Sequence, residues 1–266
     1  MIDQLLVEPG TEARLRERSA DATFGLDKAH GKKQLADLHE RLDVLQQRLY
    51  AEGTRSLLLV LQGIDASGKD GVIRSVFKGV NPLGCRAVSF KAPTTTELAH
   101  DYLWRVHAAL PARGELGIFN RSHYEDIVTV RVLGLAPETV WRRRPSQVRE
   151  WERMLSDEGT TIVKVFLNVS KEEQRKRFQE RIDDPEKRWK FRLEDLDVRK
   201  RFDDYLAAYD EAITKTSTEW APWYVVPADR NWVKSLAVAQ LLVAALERMD
   251  PQSPPPQPGI ENVVIE

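Results

Sequence analysis

A glycine-rich motif constrains this chain more than any other feature of its sequence. Gly63–Lys69 reads G-x-x-x-x-G-K and lies directly between an apolar run, Ser56–Gln62, and a segment of helical character. A strand, such a loop and a helix in succession are typical of a P-loop, whose glycines let backbone N–H groups curl around phosphate oxygens. The helix N-terminus adds partial positive charge, and the lysine reaches a β- or γ-phosphate. The motif therefore predicts a phosphate-binding site, with a glycine-rich turn that binds nothing as the alternative.

Acidic residues distinguish this loop from a standard P-loop. Asp70 occupies the position where Ser or Thr normally ligates Mg²⁺, and Asp65 lies among the phosphate-cradling amides. A carboxylate there would repel a polyanion unless a divalent cation lay between them, so we predict that Asp65 is a metal ligand. For Asp70 the simpler role is to favour the first turn of the following helix. The residues predicted to contact phosphate in this segment are Gly63, Ala66, Ser67, Gly68, Lys69 and Asp70.

Strand-like and helix-like segments alternate along most of the chain. Strands are predicted at Ser56–Gln62, Arg86–Phe90, Leu116–Phe119, Thr161–Val169 and Trp223–Val226. Helices are predicted at Lys32–Tyr50 (with Gly53 as its stop), Asp70–Val80, Thr94–Ala109, Pro137–Leu155, Lys171–Ile182, Glu194–Thr216 and Trp232–Arg248. Such alternation indicates βαβ units. We therefore predict an α/β protein with three layers, a mostly parallel five-stranded sheet between helices on both faces.

One core domain with two appendages accounts for the patterns along the chain. Residues 1–30 mix charged and small residues without periodicity, and we predict a loosely ordered arm there. The core domain is predicted to extend over residues 31–250. Residues 251–266 begin with PQSPPPQPG, which favours extended surface chain over helix or central strand.

Charge and composition exclude several classes of protein. The 40 Lys and Arg residues balance 41 Asp and Glu residues, which argues against a nucleic-acid-binding protein that is basic throughout. With one cysteine, Cys85, the chain forms no intramolecular disulfide. The N-terminus lacks the pattern of a secretory leader, and the apolar runs are far shorter than the ~20 residues of a membrane span. We expect a cytoplasmic protein without membrane or nucleic-acid partners.

A second polar cluster follows the predicted strand Leu116–Phe119. In P-loop proteins a strand beside the loop often ends in a polar or acidic residue aimed at Mg²⁺ or its water, and Asn120 occupies that position. Arg121 would point across the strand ends, into the crevice where open α/β sheets bind ligands. Glu125 remains open between a functional role and a helix-capping role. His123 is predicted to be a hydrogen-bonding core residue, because phosphoryl transfer needs mainly positioning and charge neutralisation.

Clustered cations mark two further segments. Lys171–Asp204 holds 12 Lys or Arg and 11 Asp or Glu residues, most of them expected on solvated helix surface. Within it, residues 187–192 combine four cations with two aromatics after a proline, which predicts a mobile lid over residues 183–205. The lid residues predicted to bind substrate are Lys187, Arg188, Trp189 and Lys190. Arg131 is predicted to bind phosphate, while Arg142–Arg144 is open between a surface face and a subunit contact.

These motifs resemble one known family. The second family of polyphosphate kinases, whose P-loop core is similar to that of thymidylate kinases, matches seven stretches: GIDASGKDG, NPLG, YLWRVH, FNRSHYEDI, DEGTTIVKVFLNVS, DPEKRWKF and APWYVVPAD. The matches extend from roughly Leu42 to Arg248. The resemblance implies a P-loop kinase fold with a helical lid. It also implies direct phosphoryl transfer between inorganic polyphosphate and a nucleotide, with Mg²⁺ or Mn²⁺ and without a phosphohistidine.

The resemblance implies roles for individual residues as well. Asp65, Lys69 and Arg121 match residues that are essential in the family. Asn120 and Glu125 match the subgroup that accepts both AMP and ADP, which implies synthesis of ADP and ATP. The use of guanine nucleotides is left open, because the sequence does not indicate the base preference. Because Asn120 replaces the aspartate of other subgroups, we expect Glu125 to complete the metal site with Asp65. Family members are commonly dimers or tetramers, so a homo-oligomer is implied.

Three other functions share parts of this pattern. An ATP-dependent nucleoside monophosphate kinase would use the same loop and lid and would be indifferent to polyphosphate. A P-loop NTPase switch or motor is disfavoured by Asp70 and by the lack of an Asp-Glu pair after a predicted strand. A non-catalytic module that binds RNA or a nucleotide is disfavoured by the formal net charge of −1.

Overall fold

A six-stranded sheet lies between two layers of helices in the computed structural model, which describes residues 1–265. The strands are β1 Leu6–Val7, β2 Ser56–Gln62, β3 Cys85–Ser89, β4 Leu116–Asn120, β5 Thr160–Asn168 and β6 Trp223–Pro227. Their order is β1-β6-β5-β2-β4-β3, and β1 is antiparallel to β6 while the other neighbours are parallel. The predicted three-layer α/β fold is confirmed.

Helices cover both faces of this sheet. Over residues 1–265 they are α1 Ile2–Leu5, α2 Lys28–Glu52, α3 Lys69–Val76, α4 Thr95–Leu98, α5 Trp104–His107, α6 Val128–Leu133, α7 Glu138–Trp141, α8 Arg144–Asp157, α9 Lys171–Asp183, α10 Glu194–Lys200, α11 Phe202–Thr216 and α12 Asn231–Met249. Short 3₁₀ turns span Pro82–Gly84, His123–Asp126, Arg188–Lys190 and Ile260–Asn262. No helix in this described part of the chain has the length and apolar character needed to cross a bilayer.

Strand β2 is the centre of the packing. All of its residues are buried, as expected for a parallel strand between two helical layers. Leu57 and Leu59 belong to a core that includes residues of α2, α3 and α12, whereas Leu58 and Val60 belong to a second core with α6, α8 and α11. Because β2 lies in the interior of the sheet, the loop that follows it emerges between the two helical layers.

The N-terminal arm is ordered, contrary to the prediction for residues 1–30. Its strand β1 adds an antiparallel edge to β6, so the sheet has six strands rather than the predicted five. Val7, Ala13 and Leu15 are buried against the second core. Arg18 fixes the arm by donating four hydrogen bonds to its backbone carbonyl oxygens. A two-residue strand has no alternation pattern, which is why the sequence does not reveal it.

Three predicted helices are each divided in two. Thr94–Ala109 becomes α4 and α5, Pro137–Leu155 becomes α7 and α8, and Glu194–Thr216 becomes α10 and α11. Pro145 explains the second break, because proline fits the first turn of a helix and disrupts its interior. The predicted stop of α2 at Gly53 is confirmed, since this residue adopts a left-handed φ of 63°.

Candidate active site

The P-loop leaves the carboxyl end of β2 and leads directly into α3. Gly63 and Gly68 have φ angles of 152° and 95°, which glycine adopts without strain. A Cβ on Gly63 would also lie too close to the carbonyl oxygen of Leu167, at 2.9 Å, and a Cβ on Gly68 would displace the end of the Lys234 side chain. Lys69 folds back over the loop, and its Nζ donates to the Gly63 carbonyl oxygen at 2.6 Å. The predicted succession of strand, loop and helix is therefore present.

Lys69 is buried within a mixed cluster of charges. Burial and the Arg121 guanidinium lower the pKa of Lys69 to about 8, against the attraction of the Asp65, Glu125 and Asp70 carboxylates. The ammonium group is therefore poorly compensated. A bound phosphate would supply the negative charge that it lacks.

Arg121 reaches the P-loop from the end of the neighbouring strand. Because β4 pairs with β2, Asn120 lies beside Leu61, and the Arg121 backbone N–H donates to the Leu61 carbonyl oxygen at 3.0 Å. The φ of Arg121 is 63°, which is unusual for a residue with a side chain. Its guanidinium forms ion pairs with Asp65 and, at 3.4 Å, with Glu125. Burial alone would lower the pKa of Arg121, but these two carboxylates raise it above its usual value.

Glu125 lies in the 3₁₀ turn that follows β4, and polar neighbours fix its side chain. Its Oε2 accepts a hydrogen bond from the Thr129 hydroxyl at 2.6 Å. Its Oε1 accepts from the side-chain amide of Gln62 at 3.0 Å, and the same amide nitrogen lies 2.9 Å from the Tyr209 hydroxyl. Glu125 and Asp65 thus share the Arg121 guanidinium as a partner. The structure brings together the four residues predicted to be catalytic.

Asp70 and Asn120 form a pair beside this cluster. Asn120 Nδ2 donates to Asp70 Oδ1 at 2.6 Å, so Asp70 does more than favour the start of a helix. Within residues 1–265, no three Asp, Glu, His or Cys side chains converge closely enough to hold a metal ion by themselves. Ser67 is buried, and its Oγ has no hydrogen-bond partner among the described residues.

A buried polar network lies beneath this site. His123 Nε2 is 3.3 Å from Glu152 Oε1, and the Tyr124 hydroxyl donates to the same oxygen at 2.9 Å. Lys164 Nζ completes the network at 2.5 Å from Glu152 Oε2. All four side chains are fully buried. His123 is therefore a hydrogen-bonded core residue, as predicted.

The four predicted lid residues lie in the turn that follows α9. Lys187 pairs with Asp184 at 2.6 Å, and Arg188 donates to a backbone carbonyl oxygen of α9 at 2.8 Å. Lys190 Nζ lies 5.1 Å from the centre of the Trp189 ring, which is 76% exposed. Over residues 1–265, the hydrogen bonds and ion pairs of these side chains reach no farther than the turn itself and the end of α9. Their role in binding remains a prediction.

Arg131 and α10, which lies in the predicted lid, differ in their relation to the P-loop. Arg131 pairs with Glu211 at 2.5 Å and lies over the Trp141 ring at 4.9 Å, so its partners are an acid and an aromatic ring. Asp195 lies on α10: burial raises its pKa, and the Asp65 carboxylate raises it further. Phosphate binding by Arg131 therefore remains a prediction, whereas α10 is linked to the loop through Arg199, which donates to Gln174 Oε1 at 3.1 Å.

Three residues that the sequence analysis does not single out contact the carbonyl oxygens of the P-loop. They are Gln174 and Arg177 on α9 and Lys234 on α12. Arg177 lies in the charge-rich segment Lys171–Asp204, most of which the sequence analysis interprets as solvated helix surface. Lys234 carries a usable signal, because it is the one lysine in the apolar helix α12.

Comparisons with known proteins agree on one family. The family model described as Polyphosphate kinase 2 (PPK2) matches residues 25–254. An AMP/ADP-polyphosphate phosphotransferase of Meiothermus ruber is 53% identical over 98% of this chain and 98% of its own length. An ADP-polyphosphate phosphotransferase of Rhodopseudomonas palustris is 46% identical over 91% of this chain and 88% of its own. The crystal structure of polyphosphate kinase 2 from Arthrobacter aurescens TC1 is 42% identical, with a TM-score of 0.93 over 98% of this chain and 93% of that one. The resemblance seen in the sequence is confirmed, and the chain belongs to the polyphosphate kinase 2 family.

Proposed function

We propose that the chain transfers phosphoryl groups from inorganic polyphosphate to AMP and ADP, making ADP and ATP. The observation that carries this proposal is the Arg121 guanidinium, held between Asp65 and Glu125 beside the P-loop lysine. Cations in this arrangement suit a polyanionic donor. Two acceptors are supported by the name of the Meiothermus ruber relative, which includes both AMP and ADP. The match of Asn120 and Glu125 to the subgroup that accepts both nucleotides supports the same conclusion.

The proposed reaction is an in-line transfer. A phosphate oxygen of AMP or ADP forms a bond to the terminal phosphorus of polyphosphate, while the bridging oxygen of that anhydride leaves with the shortened chain. Lys69 and the loop amides neutralise the donor phosphates, and Arg121 neutralises the equatorial oxygens of the transferred group. Because one phosphoanhydride replaces another, the reaction is reversible and concentrations decide its direction.

The residues at this site fit Mg²⁺, or Mn²⁺ in its place. Magnesium prefers carboxylate oxygens, and Asp65 and Glu125 already direct theirs toward one cationic group, the Arg121 guanidinium. The same oxygens would hold the metal, which when bound neutralises charge on the phosphate oxygens. Asp70 pairs with Asn120 instead of Arg121 and so does not share this cationic position.

Replacing Asp65 with asparagine is expected to raise the Mg²⁺ concentration for half-maximal activity by at least about tenfold, because a neutral amide oxygen is the weaker ligand. Rates measured over a Mg²⁺ titration, at saturating polyphosphate and AMP, check this. Asp70→Asn makes the same chemical change nearby and should shift the Mg²⁺ requirement far less. Equal shifts in the two variants would contradict the assignment of Asp65.

The purified chain, incubated with Mg²⁺, polyphosphate and AMP, tests the proposed function. ADP should appear first and ATP later, because ADP is both a product and an acceptor. Lys69→Met under the same conditions controls for contaminating kinases, and GMP in place of AMP tests guanine acceptors. The absence of ADP would refute the proposal. Turnover that requires ATP and ignores polyphosphate would indicate a nucleoside monophosphate kinase, and salt-dependent RNA binding without turnover would indicate a binding module.

Assembly and location complete the proposal. The homo-oligomer, a dimer or a tetramer, rests on the family resemblance, and light scattering by the purified chain measures it. The cytoplasmic location rests on the sequence, and cell fractionation tests it. We expect no nucleic-acid partner, because the formal net charge is −1.

A further inference from the structure

The outer side of the P-loop is held by side chains from two helices. A loop that turns its N–H groups toward phosphate turns its carbonyl oxygens away, and these oxygens need donors of their own. Gln174, Arg177 and Lys234, here called the backing cluster, donate to three successive carbonyl oxygens at 3.0, 2.9 and 3.1 Å. The acceptors are, in that order, the carbonyl oxygens of Asp65, Ala66 and Ser67.

The backing cluster ties the loop to the elements that flank it. Gln174 and Arg177 are one turn apart on α9 and therefore lie on one face of that helix. Arg177 also donates to the carbonyl oxygens of Ala228 and Asp229 at 2.7 and 2.9 Å, which joins the loop to the segment between β6 and α12. The loop conformation includes Ala66 at a left-handed φ of 63°. Such a conformation persists only where surrounding contacts maintain it.

Lys234 is the costly member of the cluster. It is 2% exposed, and its ammonium group has one hydrogen-bond partner among the described residues, a carbonyl oxygen of the loop. Burial and the Arg177 guanidinium lower the pKa of Lys234 to about 7; Glu173 and Asp229 act in the opposite direction, and Lys69 adds a small decrease. A methionine of similar size would avoid this burial cost, so stability does not account for a lysine here.

The Lys234 ammonium lies directly behind the phosphate-binding face of the loop. Its Nζ is 2.1 Å from the place that a Cβ of Gly68 would occupy, so it fills the space behind the N-terminus of α3. That terminus begins at Lys69 and carries unpaired N–H groups with partial positive charge. A polyanion at the loop would therefore experience the helix terminus and two lysine charges together.

We propose that the backing cluster positions the P-loop for polyphosphate, and that Lys234 is a positioning residue for the donor that adds positive charge behind the loop. This rests on the proposed function. Lys69 faces the donor phosphate directly, whereas Lys234 acts through the backbone of the loop. Loss of Lys234 should therefore affect KM for polyphosphate more than kcat.

Lys234→Met tests the proposal. We expect KM for polyphosphate to rise about 10- to 100-fold, because a charge-assisted hydrogen bond to the loop is lost, while kcat falls by a smaller factor. The unfolding temperature should stay equal or increase, since a buried charge is removed. Leu242→Ala is the matched control: this fully buried residue lies farther along α12, so its loss lowers the unfolding temperature and leaves KM unchanged.

The pH dependence of KM provides a second measurement. Lys234 is charged below a pH of about 7 and neutral above it, so its contribution to polyphosphate binding is lost as pH rises through this value. Titration of Lys69 and of the substrates is common to wild type and variant and cancels in a ratio. The ratio of KM in Lys234→Met to KM in wild type should therefore be largest at low pH and decrease as pH increases.

Three results would overturn the proposal. The first is an unchanged KM for polyphosphate in Lys234→Met, and the second is an equal increase in Leu242→Ala. The third comes from Gln174→Met, which removes a donor without changing charge and should also raise KM; an unchanged KM there would show that the loop needs no backing. If the wild-type chain makes no ADP, the proposed function is refuted, but the positioning role can still be tested. Calorimetry then measures the binding of tripolyphosphate, and equal Kd values for wild type and Lys234→Met would refute the positioning role.

Discussion

Replacing Arg121 with alanine is expected to lower kcat for ADP formation by on the order of 10³-fold or more, the effect of an arginine that neutralises a transferring phosphoryl group. The fold should persist. Alanine and arginine meet the same steric penalty at a φ of 63°, so the substitution leaves the backbone strain unchanged. The lost ion pairs with Asp65 and Glu125 involve an arginine side chain that is 37% exposed, so they contribute modestly to stability.

Steady-state kinetics and the unfolding temperature of Arg121→Ala, measured beside wild type, check this prediction. Arg175→Ala is the matched control, because Arg175 is exposed on α9 and pairs with Glu172 at 2.7 Å. It should leave kcat unchanged. Arg121→Lys should recover only part of the rate, since an ammonium group lacks the planar fork that reaches two carboxylates. If Arg121→Ala kept more than about a tenth of wild-type kcat, Arg121 would not have the proposed role.

Lys69→Met is expected to lower kcat/KM for polyphosphate by on the order of 10³-fold, because a charged side-chain contact with the donor phosphate is lost at a buried position. Methionine keeps the length of the buried side chain, so the unfolding temperature should not decrease. Kinetics at varied polyphosphate concentration, with AMP saturating, measure the loss. A change confined to KM for AMP would place Lys69 at the acceptor instead.

The pKa of Lys69, about 8, gives the same residue a pH signature. The ammonium group is present below this pH and lost above it, so kcat/KM of the wild type for polyphosphate should decline above a pH of about 8. Lys69→Arg stays charged throughout and should remove the decline while lowering the rate. The same alkaline decline in Lys69→Arg would assign the titration to another group.

The fold and the centre of the site follow from local patterns in the sequence. The run Ser56–Gln62 is apolar throughout because both faces of β2 are buried, and this alone predicts a central parallel strand. The convergence of Lys69, Asp65 and Arg121 is predictable too, because the carboxyl ends of adjacent parallel strands meet at one edge. Glu125 joins them through the 3₁₀ turn His123–Asp126. The sequence predicts only that a helix begins there and does not predict the shape of this turn.

The sequence does not predict which of the many charged residues pair with one another. Arg175 and Arg177 lie in the same charge-rich run, yet Arg175 pairs in solvent while Arg177 reaches the loop. The difference is the rotation of α9 about its axis, which packing against the sheet decides. Arg131 shows the same limit, because its partner Glu211 comes from a distant helix. Long-range pairing of this kind leaves no mark on spacing or composition.

The pairing of β1 with β6 has a consequence for solubility. Without the first 15 residues, β6 would become an open edge of the sheet, and that edge consists of the apolar residues Trp223–Pro227. An uncovered apolar edge strand is a template for association with other chains. The arm also covers the second core through Val7 and Leu15, which are almost fully buried. A segment whose sequence predicts a loosely ordered arm is thus expected to protect the protein against aggregation.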